Sequence, residues 1–150
     1  MRSNMEKKAL FAGTFDPYTR GHHSIVERAL SLFDKVVVAV GNNMGKKALL
    51  SPVERVEKIK SIYKDEPRVE VVLYDGLTMD FARSIQATAL LRGVRSVKDF
   101  EYERELADVN LRVGGIETLL LFGEPEYASL SSSLVRELMA YGKDVTDFLP

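Results

Sequence analysis

Ala9-Leu10-Phe11-Ala12-Gly13-Thr14-Phe15-Asp16-Pro17-Tyr18-Thr19-Arg20-Gly21-His22 is the stretch that decides how this chain of 150 residues folds. Ala9 to Ala12 form a short apolar run of the kind that makes a buried strand. From Ser24 to Phe33, Ile25, Val26, Ala29, Leu30 and Phe33 recur at helical spacing. Gly13 to His22 is therefore a turn from strand into helix, which offers backbone N–H groups and a positive helix end to an anion. Thr14 adds a hydroxyl donor, Asp16-Pro17 stiffens the bend, and His22 falls on the first helical turn after Gly21.

The alternation continues outward from this turn. Val36 to Val40 is a continuous apolar run, as in a strand buried on both faces. After a loop from Asn42 to Leu50, Ser51-Pro52-Val53-Glu54 predicts a helix start, with Ser at the N-cap, Pro at the first position and Glu in capping-box register. Val53, Val56, Ile59, Ile62 and Tyr63 are expected on its buried side. Val69 to Tyr74 predicts the third strand, Leu77 to Gln86 a short helix, and Ala89 to Leu91 the fourth strand. A charged helix follows from Lys98 to about Val113, then a fifth strand from Thr118 to Phe122. A last helix from Leu134 to Tyr141 is closed by Gly142. Five strands separated by helices predict an α/β fold, a doubly wound five-stranded parallel sheet in a single domain over residues 1–150. Residues 1–4 read as an extension without a functional signal.

Composition narrows the function classes. Hydrophobic residues at 45% and charges of both signs exclude a disordered or fibrous chain. A formal net charge of −1 argues against a general nucleic-acid or membrane binder, while leaving room for a local basic patch. With no cysteine there is no thiolate catalysis, disulfide or Cys-based zinc site. No apolar run is long enough to span a bilayer and no signal-peptide pattern is present, so a cytoplasmic location is expected.

In a parallel sheet of this kind, ligands bind beyond the carboxyl ends of the strands. Gly13-Thr14, Lys46-Lys47, Leu77-Thr78, Arg92-Gly93-Val94-Arg95 and Tyr127 to Ser133 all fall there, after successive strands. His22 and His23 point about 100° apart on a helix. His22 ends the T-x-G-H run and is assigned to the loop; His23 reads as structural or exposed. Arg92 and Arg95 suit bidentate phosphate recognition, or alternatively pair with one of Glu101, Glu103 or Glu105. Those acidic residues and Asp108 read mostly as a solvated helix face. Ser131-Ser132-Ser133 supplies a helix cap, with hydroxyls and N–H groups to spare for phosphate. No covalent nucleophile, metalloprotease motif or P-loop is present. Phosphate donors around one histidine suit displacement at phosphorus between two bound reactants.

G-T-F-D-P-x-T-x-G-H at Gly13–His22 resembles the signature of the nucleotidyltransferases related to class I aminoacyl-tRNA synthetases. Together with Arg92-Gly93-Val94-Arg95, Asp99-Phe100-Glu101-Tyr102-Glu103 and Ser131-Ser132-Ser133-Leu134-Val135, it resembles the bacterial phosphopantetheine adenylyltransferase family from about Met5 to Pro150. The resemblance implies a Rossmann-like nucleotidyltransferase fold. It implies transfer of the adenylyl group of ATP to 4′-phosphopantetheine, giving dephospho-coenzyme A and pyrophosphate. Thr14 would touch both substrates, and Phe15 and His22 would serve ATP, with His22 stabilising the transition state. Lys46, Thr78 and Arg92 would hold phosphopantetheine. Gly93, Val94, Arg95, Glu103, Tyr127, Ala128, Ser129, Leu130, Ser131, Ser132 and Ser133 would hold ATP. Magnesium would arrive with ATP, held by phosphate oxygens and water. The resemblance further implies a cytoplasmic homohexamer, with coenzyme A as a feedback ligand. Tyr127 stands where the family often has Trp, and Thr78 where it commonly has an apolar residue. The rival readings are another adenylyl- or cytidylyltransferase of the superfamily, with nicotinate mononucleotide as an acceptor, or a nucleotide-binding module without catalysis. The F-E-Y-E run disfavours the first; Thr14, His22 and Arg95 disfavour the second.

Overall fold

The computed structural model describes residues 5–42 and 48–150, so the N-terminal four residues, Lys46 and Lys47 lie outside it. Its elements run β1 (Lys8–Gly13), α1 (Arg20–Ala29), β2 (Lys35–Gly41), α2 (Pro52–Ile62), β3 (Val69–Tyr74), α3 (Thr78–Ser84), β4 (Ala89–Val94), α4 (Val97–Gly114), β5 (Glu117–Phe122) and α5 (Ser132–Ala140). Short 3₁₀ turns at Pro125–Tyr127 and Thr146–Phe148 complete the chain. The five strands form one sheet in the order β3-β2-β1-β4-β5, and every pairing is parallel.

Strand period places alternate side chains on opposite faces. Ala9, Phe11, Val36, Val38 and Val40 pack on one face against Ile25, Val26 and Ala29 of α1 and Val56 and Ile59 of α2. Leu10, Ala12, Val37, Ala39 and Leu90 pack on the other, against Ala82 of α3 and Ile116. Two buried faces account for the unbroken apolar strands.

Helix starts follow their caps. The Ser51 hydroxyl accepts from the Glu54 N–H at 3.2 Å, Ser96 from Asp99 at 3.1 Å and Ser131 from Leu134 at 3.1 Å. Gly142, at φ 72°, follows α5 as expected of a closing residue.

Three expectations are corrected. β4 continues through Arg92 and Gly93 to Val94 instead of ending at Leu91, because its pairing with β5 extends to Val94–Phe122. On α2, Val53 faces solvent and Arg55 is buried at 3% exposure, drawn in by the carbonyls it donates to. Glu103 leaves the solvated face of α4 and is 5% exposed, held by an arginine.

The sheet opens where its strand order reverses. Backbone pairing between β1 and β4 is confined to Ala9–Ala89 and Leu10–Leu90. Beyond that register the strands part, and the Arg92 side chain spans the gap, its Nη1 donating to the Ala12 carbonyl at 2.8 Å. On the opposite face, α3 and α4 meet at Gly114, where an added Cβ would lie 2.7 Å from Met79 Cβ. Gly114→Ala should therefore destabilise the fold by about 1–3 kcal/mol through overpacking, measured by urea denaturation.

Candidate active site

A cleft of about 420 Å³ occupies the reversal point, at the carboxyl ends of β1 and β4. Its floor is the β1–α1 turn. Phe15 has φ 51°, a left-handed conformation, and its buried ring packs so closely on Gly13 that a Cβ there would meet ring carbons at 3.0 Å. The Asp16 carboxylate turns inward, accepting from the N–H groups of Leu49 at 2.7 Å and Leu50 at 3.1 Å. Asp16–Pro17 is a cis peptide.

His22 sits at the third position of α1. Its Nδ1 accepts the Thr19 backbone N–H at 2.9 Å, while Thr19 caps the helix in return. This is a capping box with histidine in place of the usual Glu or Gln. An Nδ1 that accepts carries no proton, so the neutral ring bears its proton on Nε2. Burial, then the charges of Arg95 and Arg92, push the His22 pKa down to about 3. The ring is packed between Tyr18, stacked at 5.2 Å, and Phe15, edge-on at 5.0 Å. His22 is thus a neutral N–H donor on the cleft floor.

Three arginines surround it. Arg92 grips Glu103 through Nε at 2.9 Å and Nη2 at 2.8 Å, leaving one N–H on each terminal nitrogen once the Ala12 bond is counted. Burial opposes the Arg92 charge, but the Glu103 carboxylate outweighs it and raises the guanidinium pKa. Arg95 donates to the Leu130 carbonyl at 2.8 Å and lies 3.5 Å from Asp99. Arg136, on α5, donates to the Asp16 carbonyl at 2.6 Å and to Ser133 Oγ at 3.1 Å.

Of the residues singled out by sequence, Thr14, Phe15, His22, Arg92, Gly93, Val94, Arg95, Glu103, Tyr127, Leu130, Ser131, Ser132 and Ser133 line the cleft. Ala128 and Ser129 sit between lining residues and do not line it themselves. The serines divide their work. Ser131 caps α5, Ser132 Oγ donates to the Pro17 carbonyl at 2.8 Å, and Ser133 Oγ accepts from Arg136. Ser132 spends its hydroxyl proton on Pro17, whereas Ser131 and Ser133 accept, so the anion donors at this helix end are the backbone N–H groups of Ser132 and Ser133 with the hydroxyls of Ser131 and Ser133. Sequence reading missed Arg136, although it follows Ser133 by three residues, one helical turn. Lys46 lies outside the described residues.

Thr78 does not join this cleft. Its hydroxyl lies 2.8 Å from that of Tyr74, and it lines an adjoining cavity of about 270 Å³ with Leu77, Met79, Leu106, Val109 and Asn110. Arg92, Glu103 and Ala12 line both spaces and form the wall between them. Within the apolar cavity, Thr118 Oγ1 is buried without a hydrogen-bond partner.

Similarity to known proteins follows the same lines. A cytidylyltransferase-like family profile matches residues 10–138. The fold resembles that of a bifunctional NMN adenylyltransferase/ADP-ribose pyrophosphatase from Francisella tularensis, with a TM-score of 0.71 at 14% identity over 97% of this chain and 44% of that one. It also resembles a lipopolysaccharide core biosynthesis protein from Thermoplasma volcanium, with a TM-score of 0.58 at 20% identity over 80% of this chain and 98% of that one. Fold and cleft together define a nucleotidyltransferase. Phosphopantetheine adenylyltransferases from Phocaeicola vulgatus and Porphyromonas gingivalis are 54% and 52% identical to the chain, covering 96% and 95% of it and 95% and 93% of their own lengths. That of Bacteroides thetaiotaomicron is 50% identical, over 96% of this chain and 95% of its own. The chain belongs to the phosphopantetheine adenylyltransferase family.

The low pKa of His22 has a consequence for titration. A neutral ring down to about pH 3 means that nitrogen-15 NMR of the His22 side chain should show an unchanged Nε2–H tautomer from pH 8 to pH 5. In the unfolded chain the same ring takes up a proton near the usual 6.5. His22 therefore stabilises the fold fully only above that value, and its contribution is lost as pH falls toward 3.

Proposed function

We propose that the cleft joins ATP to 4′-phosphopantetheine by a direct displacement. An oxygen of the acceptor phosphate attacks the α-phosphorus of ATP as the bond to the β-phosphate oxygen breaks and pyrophosphate departs. Near neutral pH a phosphate monoester is largely dianionic, so the nucleophile needs no general base. The observation that carries this reading is the neutral His22 Nε2–H on the cleft floor beside Arg92, Arg95 and the N-terminus of α5. A histidine that stays neutral donates to charge developing on the α-phosphate and takes no proton from the acceptor.

The donors divide by position. Arg95, Arg136 and the N–H groups of Ser132 and Ser133 suit the β- and γ-phosphates, which leave as pyrophosphate. The two remaining N–H groups of Arg92, at the wall between the cavities, suit the acceptor phosphate, with Lys46 as the expected second cation. The adjoining cavity fits the pantetheine arm: Leu77, Met79, Leu106 and Val109 match its apolar stretches, and Asn110 and the orphan Thr118 hydroxyl match its amides. Thr78 then belongs with the acceptor.

The cleft carboxylates Asp16, Asp99 and Glu103 all receive protein donors. This donor set suits magnesium that enters as part of ATP, held by phosphate oxygens and water and neutralising their charge. Coenzyme A, which carries the same pantetheine arm, fits as a feedback ligand of the same two spaces. Among the described residues no helix is long and apolar enough to cross a membrane, and we place the enzyme in the cytoplasm. Val97 and Val113 on α4, with Phe122, expose apolar surface available to a subunit interface, in keeping with the homohexamer that the family resemblance implies.

Pyrophosphate release from ATP tests the reading. It is expected with phosphopantetheine and absent with nicotinate mononucleotide or without acceptor. His22→Ala should lower kcat by about 10²–10³-fold with little change in KM for either substrate, as measured by steady-state kinetics. A loss confined to KM would remove His22 from the transition state.

A further inference from the structure

Behind the His22 ring runs a hydrogen-bonded chain whose members do not line the cleft. The Tyr18 ring is stacked on His22 with centroids 5.2 Å apart and planes at 29°, and Tyr18 is buried. Its hydroxyl lies 2.5 Å from that of Tyr63, at the end of α2. The Tyr63 hydroxyl is 3.0 Å from His23 Nδ1, and His23 Nε2 is 2.9 Å from Glu27 Oε1. The two adjacent histidines thus face different ways, one into the cleft and one onto α2.

One proton arrangement satisfies every member. The Glu27 carboxylate accepts the Nε2–H of His23, and Nδ1 of the same ring serves as the acceptor. Tyr63 then donates to His23, and its oxygen accepts from Tyr18. Burial raises the pKa of both tyrosines, which keeps the hydroxyls protonated as this order requires.

The bond from Thr19 fixes Nδ1 and Cγ is tethered through Cβ, so the freedom left to the His22 ring is a tilt about the line joining those two atoms. That tilt is limited by Phe15, edge-on at 5.0 Å, and by the stacked Tyr18 ring, which its hydroxyl holds in turn. We propose that Tyr63 and His23 are positioning residues for the adenylyl transfer proposed above: they lock Tyr18, and through it the direction of the His22 Nε2–H. This inference rests on that functional reading.

The test uses the full-length enzyme. Tyr63→Phe keeps the ring and removes the hydroxyl, and Tyr18→Phe keeps the stack and removes the donor. His23→Leu removes the acceptor at Nδ1, whereas His23→Asn restores one at the same reach. A misplacement of 1 Å can cost about 10²-fold, so a tilt should lower kcat by about 5–30-fold in Tyr63→Phe and His23→Leu, with KM values within about twofold. His23→Asn should recover most of the loss. Tyr63→Phe should add nothing in a Tyr18→Phe background, because the hydroxyl it anchors is gone. In the substrate-free enzyme, the His22 nitrogen-15 signals should shift in Tyr63→Phe. Unchanged kcat in Tyr63→Phe, equal losses in His23→Asn and His23→Leu, an additive double variant, or unmoved His22 signals would each overturn the proposal. A parent enzyme without turnover would instead overturn the functional reading, and the NMR comparison reads His22 without any substrate.

Discussion

The backbone carbonyls between the end of β1 and the start of α1 need donors that the turn cannot supply itself. The turn is buried, with Phe15 and Asp16 at 5% and 2% exposure, and a buried carbonyl without a partner is costly. Four distant side chains answer this requirement. Arg92 of β4 donates to Ala12, Arg55 of α2 to Thr14, Arg136 of α5 to Asp16, and Ser132 of α5 to Pro17. The Asp16 carboxylate completes the arrangement by holding the two N–H groups ahead of α2. Everything that shapes the cleft is tied to this turn: the gap between β1 and β4, the seat of α5 and the approach of the β2–α2 loop.

The same donors set the electrostatics. A chain of net charge −1 gathers three arginines around one neutral histidine. Burial first, then the charges of Arg95 and Arg92, keep His22 from protonating, so the ring donates and does not compete as a cation. The arginines differ in how readily they turn to a ligand. Arg95 and Asp99 lie 3.5 Å apart and are partly exposed, and such pairs are worth about 0–1 kcal/mol, so Arg95 exchanges its partner easily. Arg92 holds the buried Glu103 carboxylate through two nitrogens, a bidentate grip that Arg95 lacks, so Arg92 keeps Glu103 and offers only its spare N–H groups. In the proposed reaction Arg95 is the arginine that turns toward the leaving pyrophosphate, and Arg92 stays as the wall between the two cavities.

That wall separates two spaces of different chemistry, as the proposed division between ATP and phosphopantetheine requires. On the side of the cleft, polar donors and a helix end favour phosphates. Across it, Leu77, Met79, Leu106 and Val109 favour an apolar arm. Both sides share Arg92 and Glu103, so groups bound on either side meet at the guanidinium. The division follows from strand order: only where β1 and β4 part can a side chain replace a backbone ladder and leave room on both sides.

Local signals in the sequence determined the elements and the edge where chemistry collects. Ser51-Pro52, Ser131 and Gly142 act on their own neighbours, and the apolar strand runs report burial on two faces, so their outcome needs no distant partner. Gly13 to His22 likewise carried the turn and the histidine, because a capping box is closed within four residues. What the sequence could not determine were contacts set by the sheet's reversed order. Glu103 reads as a surface residue until a guanidinium from β4 is brought beside it, and nothing local marks Arg55 for burial until the carbonyls of Thr14, Gly41 and Leu50 converge on it. Thr78 stood with the cleft until the parting of β1 and β4 made two spaces of one. The same holds for His23, whose partner Tyr63 is 40 residues away. Periodicity and capping are written in neighbouring residues, whereas hydrogen bonds between loops depend on which strands lie side by side, and only the folded sheet decides that.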